Sequence, residues 1–132
     1  MNSHIEVADY VKGPFVKEYL ARYGWWAQRV VDRFAFLQDL GYALDEVHFH
    51  QEGNFVRYRS PRWDFYVTYE SDTDIRAGFF ARDTPKAVNL DELLGARPAD
   101  LTNRAAVLAK IDEWAEAMPE AIRKIEIYPD SH

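Results

Sequence analysis

The chain has 132 residues, enough for one hydrophobic core and too few for two domains of ordinary size, which excludes multidomain machinery. With 48% apolar residues and 8 Phe, 8 Tyr and 4 Trp it has ample side chains to bury, which excludes wholesale disorder. Sixteen Lys and Arg against 22 Asp and Glu give a net charge of −6, which opposes non-specific binding to nucleic acid or acidic membrane and favours a basic partner.

In chain order, Ser3 with Glu6 has the spacing of a capping box and predicts a short helix over about His4 to Lys12, ended by Gly13 and Pro14. Pro14 suits the first turn of a second helix. Val16, Leu20, Tyr23, Ala27, Val30, Phe34 and Leu37 recur at spacings of three and four and draw one apolar stripe as far as Gly41. At about 1.5 Å per residue such a helix would outrun so small a domain, so a break is expected near Gly24. Phe15, Tyr19, Trp25, Trp26 and Phe36 fall off the stripe. The helix is therefore covered on two sides, or these rings face a partner.

From Asp45 the apolar period changes from 3.6 to 2. Val47 and Phe49, Val56 and Tyr58, Trp63 to Tyr69, and Ile75 to Ala81 each alternate with polar neighbours, the pattern of four half-buried strands. Glu52-Gly53 and Pro61-Arg62 read as two-residue hairpin loops and Glu70 to Asp74 as a longer one, which makes an antiparallel meander with every apolar set on one face. That register puts His48 opposite Arg57 and Arg59 opposite Asp64. Asn89 with Glu92 opens a short helix, Leu90 to Leu94, closed by Gly95, and a loose stretch with Pro98 follows. Val107, Ile111, Trp114 and Met118 form the stripe of a last helix, which Pro119 kinks or restarts before Ile122 and Ile125. The expected fold is α+β: residues 1–132 as a single domain of two layers, N-terminal helices, a four-stranded antiparallel meander and C-terminal helices, with the helices on one sheet face.

The other sheet face then carries His48, His50, Phe55, Arg57, Arg59, Asp64, Tyr66, Thr68, Arg76, Phe80 and Arg82 together. Large rings among arginines are the composition of interface hot spots, and these residues, Thr68 apart, are the candidate binding site. A face of cross-strand charge pairs open to water is the plainer reading of the same pattern.

His48-Phe49-His50 has a spacing that can hold a metal and is similar to the His-x-His of cupin barrels. The acidic ligand and the further His of that pattern have no counterpart at the required distances, His132 being the only later His. Glu70, Asp72 and Asp74 alternate like a calcium loop without its Gly or its closing Glu. No metal, cofactor or catalytic residue is assigned, and no recognised catalytic signature is present. Arg76-Ala77-Gly78-Phe79-Phe80 is similar to a sheet motif of single-strand RNA readers, but its spacing and the element order differ.

The lack of cysteine excludes disulfides and thiol chemistry and suits a reducing compartment. No signal peptide and no apolar run of the roughly 18 residues a membrane helix needs is visible, so a cytoplasmic protein without membrane contact is expected. In size, acidity and element order the chain resembles the immunity partners of bacterial toxins, which implies a non-enzymatic inhibitor of a protein partner. No residue motif accompanies that likeness, so no residue role is carried over. The alternatives are a ligand-binding or enzymatic domain with a pocket between sheet and helices lined by Tyr23, Tyr58, Tyr69 or Trp63, and a single-stranded nucleic-acid binder. The same open face could instead join two copies as a homodimer.

Overall fold

A computed structural model describes residues 5–11, 13–50, 53–71, 74–96 and 103–128. Three α-helices, α1 (Val16–Arg33), α2 (Leu90–Leu94) and α3 (Arg104–Glu126), pack with an antiparallel sheet of β1 (Ala43–His50), β2 (Gly53–Arg59), β3 (Trp63–Ser71), β4 (Asp74–Ala81) and β5 (Ala87–Asn89). The strands lie in the order β1-β2-β3-β4-β5, a meander. The α+β class is as expected, with five strands in place of four.

The added strand, β5, is three residues long with one buried side chain, Val88, too short for alternation to be legible. Its approach explains Gly78. A Cβ at that position would lie 2.8 Å from the Val88 carbonyl oxygen, so only glycine lets β5 pair there.

At the N-terminus the chain makes a 3-10 turn at Val7–Asp9 in place of the expected helix, whose ends, including Ser3, His4 and Lys12, lie outside the described residues. Its buried anchor is Val7, and the Gln28 side chain of α1 accepts from the Val7 N–H and donates to the Ile5 carbonyl. α1 runs unbroken through Gly24, where an added Cβ would meet only Leu20 at ordinary contact distance. The break comes instead at Phe34, after about 27 Å of helix, and a 3-10 stretch Ala35–Leu40 continues. Phe34 and Leu37 are both fully buried, and a 3-10 turn keeps residues three apart on one side. Gly41, at φ 90°, then reverses the chain into β1 in a conformation few side chains tolerate.

α1 is covered on two sides. Trp26 stacks on Tyr69 at 5.4 Å, and Trp25 makes a T-shaped contact with Tyr69 at 5.7 Å while the Arg104 guanidinium of α3 lies 4.8 Å from the Trp25 ring centre. α3 continues through Pro119 without a second start, because the residues on both sides of the proline, Met118 and Ala121, Ile122 and Ile125, are buried in the same core. The missing hydrogen bond and ring clash of an interior proline cost roughly 3 kcal/mol, and burying several large side chains at about 1.5–3 kcal/mol each outweighs that. Asn89 and Asn103 cap α2 and α3 by accepting from the N–H groups of Glu92 and Ala106.

The register differs from expectation at one hairpin. His50 pairs with Gly53, so His48 faces Phe55 and Arg57 faces Glu46. Glu52, half of the expected Glu52-Gly53 turn, lies outside the described residues. A shift of two residues preserves side-chain parity, so every face assignment survives it. The Pro61-Arg62 connection and the Arg59 to Asp64 pairing are as expected. Trp63, Trp114 and Met118 are core residues. Among the described residues, no helix is long and apolar enough to cross a membrane.

Candidate functional site

The helices cover the face carrying Val47, Val56, Tyr58, Phe65, Val67 and Phe79, all buried. The opposite face carries the candidate residues. Across it the rings form one row: His48 stacks on Phe55 at 5.0 Å, Phe55 meets Tyr66 edge-on at 5.5 Å, and Tyr66 meets Phe80 edge-on at 5.0 Å. Four strands contribute one ring each. The row is diagonal to the ladder, since Tyr66 pairs with Arg57 and Gly78 while Phe55 pairs with Thr68. The small partners Thr68 and Gly78 leave a depression of about 310 Å³ between Tyr66, Phe80 and Arg76. Phe80 is 47% exposed, the largest exposure among the described large apolar side chains of the sheet.

The charged side chains are ordered around this row. Arg57 sits 5.9 Å from the ring centres of both Phe55 and Tyr66, donates to the Tyr66 hydroxyl at 3.4 Å, and donates to Glu46 at 2.8 Å and to Asp45 through Nε at 2.7 Å. Burial opposes its charge, but Tyr66 and Asp45 outweigh that and hold the guanidinium more firmly protonated than in water. His48 Nδ1 lies 3.5 Å from Glu46. Asp64, 13% exposed, lies 3.6 Å from Arg59 and 3.8 Å from Arg82, and Arg82 also donates to the Ser60 carbonyl at 3.1 Å. These three residues and the rings of Phe55, Tyr66 and Phe80 line a second shallow cavity of about 620 Å³. Buried atoms Arg59 Nε and Asp64 Oδ1 have no hydrogen-bond partner. Arg76 is exposed beside the first depression.

Nine of the ten candidate residues are thus brought together. For His50 only the backbone, paired with Gly53, is described. Sequence reasoning missed Asp45 and Glu46. A β-bulge between Leu44 and Glu46 lets two consecutive acids reach one arginine, and a bulge leaves no mark in an alternation pattern. Among the described residues no three His, Asp or Glu side chains are grouped so as to hold a metal, and Asp72 of the acidic loop is not described.

Between the layers, Tyr58, Trp63 and Tyr69 are buried, and Tyr23 packs on Phe49 and Tyr69 at 5.7 and 6.1 Å. Of the protein-family models, curated proteins and solved structures compared with the chain, none matches.

Proposed function

We propose that this chain is a non-enzymatic protein-binding domain that captures its partner on the open sheet face, as a toxin-neutralising inhibitor does. The observation that carries the reading is the aromatic row from His48 to Phe80, lying on a face that none of the described helices covers and set among side chains already held in place. Rigid rings lose little entropy on binding and supply most of the energy of compact interfaces. The face itself is almost balanced, with Arg57, Arg59, Arg76 and Arg82 against Asp45, Glu46 and Asp64. The charge of −6 lies on the molecule as a whole. A basic partner would accordingly be steered by the bulk charge and held by the rings.

Arg57, Arg59 and Arg82 each lie within 4 Å of a carboxylate, which weakens the attraction for a phosphate chain and disfavours the nucleic-acid reading. The ring-on-ring packing between the layers disfavours an interlayer pocket.

Immobilised protein should retain a partner from extracts of its native host, identified by mass spectrometry and then titrated. Replacing Tyr66 or Phe80 by Ala is expected to preserve the circular dichroism spectrum and weaken capture at least about tenfold, near 1.4 kcal/mol. Unchanged affinity in both variants would refute the assignment of this face.

A further inference from the structure

The same sheet presents a second surface, its edge. β1 is a terminal strand of eight residues that, among the described residues, pairs only with β2, so every second N–H and C=O along it points away from the sheet. β5 at the other margin has three residues and runs straight into α2. Long terminal strands are ordinarily covered or blunted, because their free main-chain groups are a template for another strand. The bulge after Leu44 blunts the start of β1 and leaves Glu46 to His50 regular. A cleft of about 660 Å³ follows this regular part, with Glu46 to Phe49 on one side and Tyr10, Phe15 and Tyr19 on the other. Phe15 is 57% exposed and Tyr10 37%.

We infer that this edge is a self-pairing interface, in which β1 of a second copy adds antiparallel to β1 about a two-fold axis through Val47 to make one continuous sheet. In such a pair, residues equally far before and after the axis face each other. Facing residues must share a sheet face, so the axis passes through a residue and not between two. Through Val47, Glu46 faces His48 of the copy, twice over, and Val47 faces itself on the helix side. An imidazole N–H donates to a carboxylate whether the ring is neutral or charged. An axis through Glu46 sets two carboxylates face to face, and one through His48 sets two imidazoles. An axis through His48 also sets Glu46 opposite His50, but of the three only the Val47 axis opposes no like side chains of Glu46 or His48, and it is the favoured register. On the helix side, the aromatic rim of Tyr10 and Phe15 lies beside the axis and gains a cover. Glu46 and His48 stand at the margin of the open face, whose rings from Phe55 to Phe80 stay uncovered, so self-pairing does not depend on the capture proposed above.

Sedimentation analysis from about 1 μM to about 1 mM should show a monomer–dimer equilibrium. His48→Glu, which opposes two carboxylates, and Glu46→His, which opposes two imidazoles, are each expected to weaken it at least about tenfold, and the combined swap to restore it. On the unmodified protein, hydrogen exchange over residues 45–49 should slow as concentration rises while β5 is unaffected, which tests the edge without any variant. A monomer throughout the range overturns the inference. So does a dimer indifferent to both single changes or not restored by the swap, or exchange at 45–49 that ignores concentration.

Discussion

Lys110 shows what one residue must satisfy to sit in this core. Its side chain is 5% exposed, yet the ammonium lies 3.0 Å from Asp91, 2.9 Å from Glu113 and 5.4 Å from the Trp114 ring centre. Burial disfavours the charge, but Glu113 and Asp91 more than offset that and raise its pKa above the usual lysine value. Asp91 also accepts from Trp114 Nε1 at 2.8 Å, so one carboxylate serves two buried donors. Removing it strands the Trp114 N–H and leaves the ammonium only the more exposed Glu113. Asp91→Ala is expected to cost about 2–4 kcal/mol in urea unfolding, whereas Lys110→Met, which removes the charge along with its need for a partner, should cost under about 1 kcal/mol. Equal losses would mean that the ion pair itself is stabilising. None of this was legible in sequence, where Lys110 stands one residue before the stripe position Ile111 and Asp91 lies nineteen positions upstream. Phe55, Tyr66 and Phe80 were legible on the open face because alternation alone decides on which side of a strand a ring points.

At the scale of elements, periodicity located four of the five strands and both long helices, and it erred where backbone exceptions override it. Gly24 and Pro119 both looked like interruptions and neither is one, because propensity is a weak preference that packing on both sides of a residue overrules. Pro119 still leaves its ladder position unfilled. Pro119→Ala, at an exposed site, should restore that hydrogen bond and raise stability by about 1 kcal/mol, seen as a higher melting temperature, with no change in partner capture. No gain would show that the fold has already compensated for the proline. The bulge in β1 is the counterpart in the sheet. It shifts the pairing only before Glu46, apart from the register change set at the hairpin, and it brings Asp45 and Glu46 into the site.

For the whole molecule, the layers are joined by burial and the helices α1 and α3 also by charge. Arg29 donates to Asp112 through Nε at 2.9 Å and Nη2 at 2.7 Å, and Arg33 approaches the same carboxylate at 3.1 Å. The hydrogen bond from Arg29 holds the Asp112 carboxyl below its ordinary pKa, against a smaller opposing effect of burial. A carboxylate depressed on folding stabilises the native state above its unfolded pKa, and that contribution disappears as pH falls through the folded value. Asp112→Asn should therefore be less stable than the parent by a constant margin at neutral pH, a margin that closes below about pH 4 and shrinks with added salt. A margin that persists in acid would assign the loss to packing.

What the sequence determined by itself is the class of fold, the side of the sheet on which each residue lies, and the caps of α2, because these follow from periods of 2 and 3.6 and from contacts within a few residues. Which residues touch was decided only in three dimensions. The diagonal row of rings, the two acids gathered by the bulge, the fifth strand admitted by Gly78 and the terminal position of β1 all depend on register between segments distant in the chain. A one-dimensional pattern carries parity but not register, since a shift of two residues leaves parity untouched and changes every neighbour.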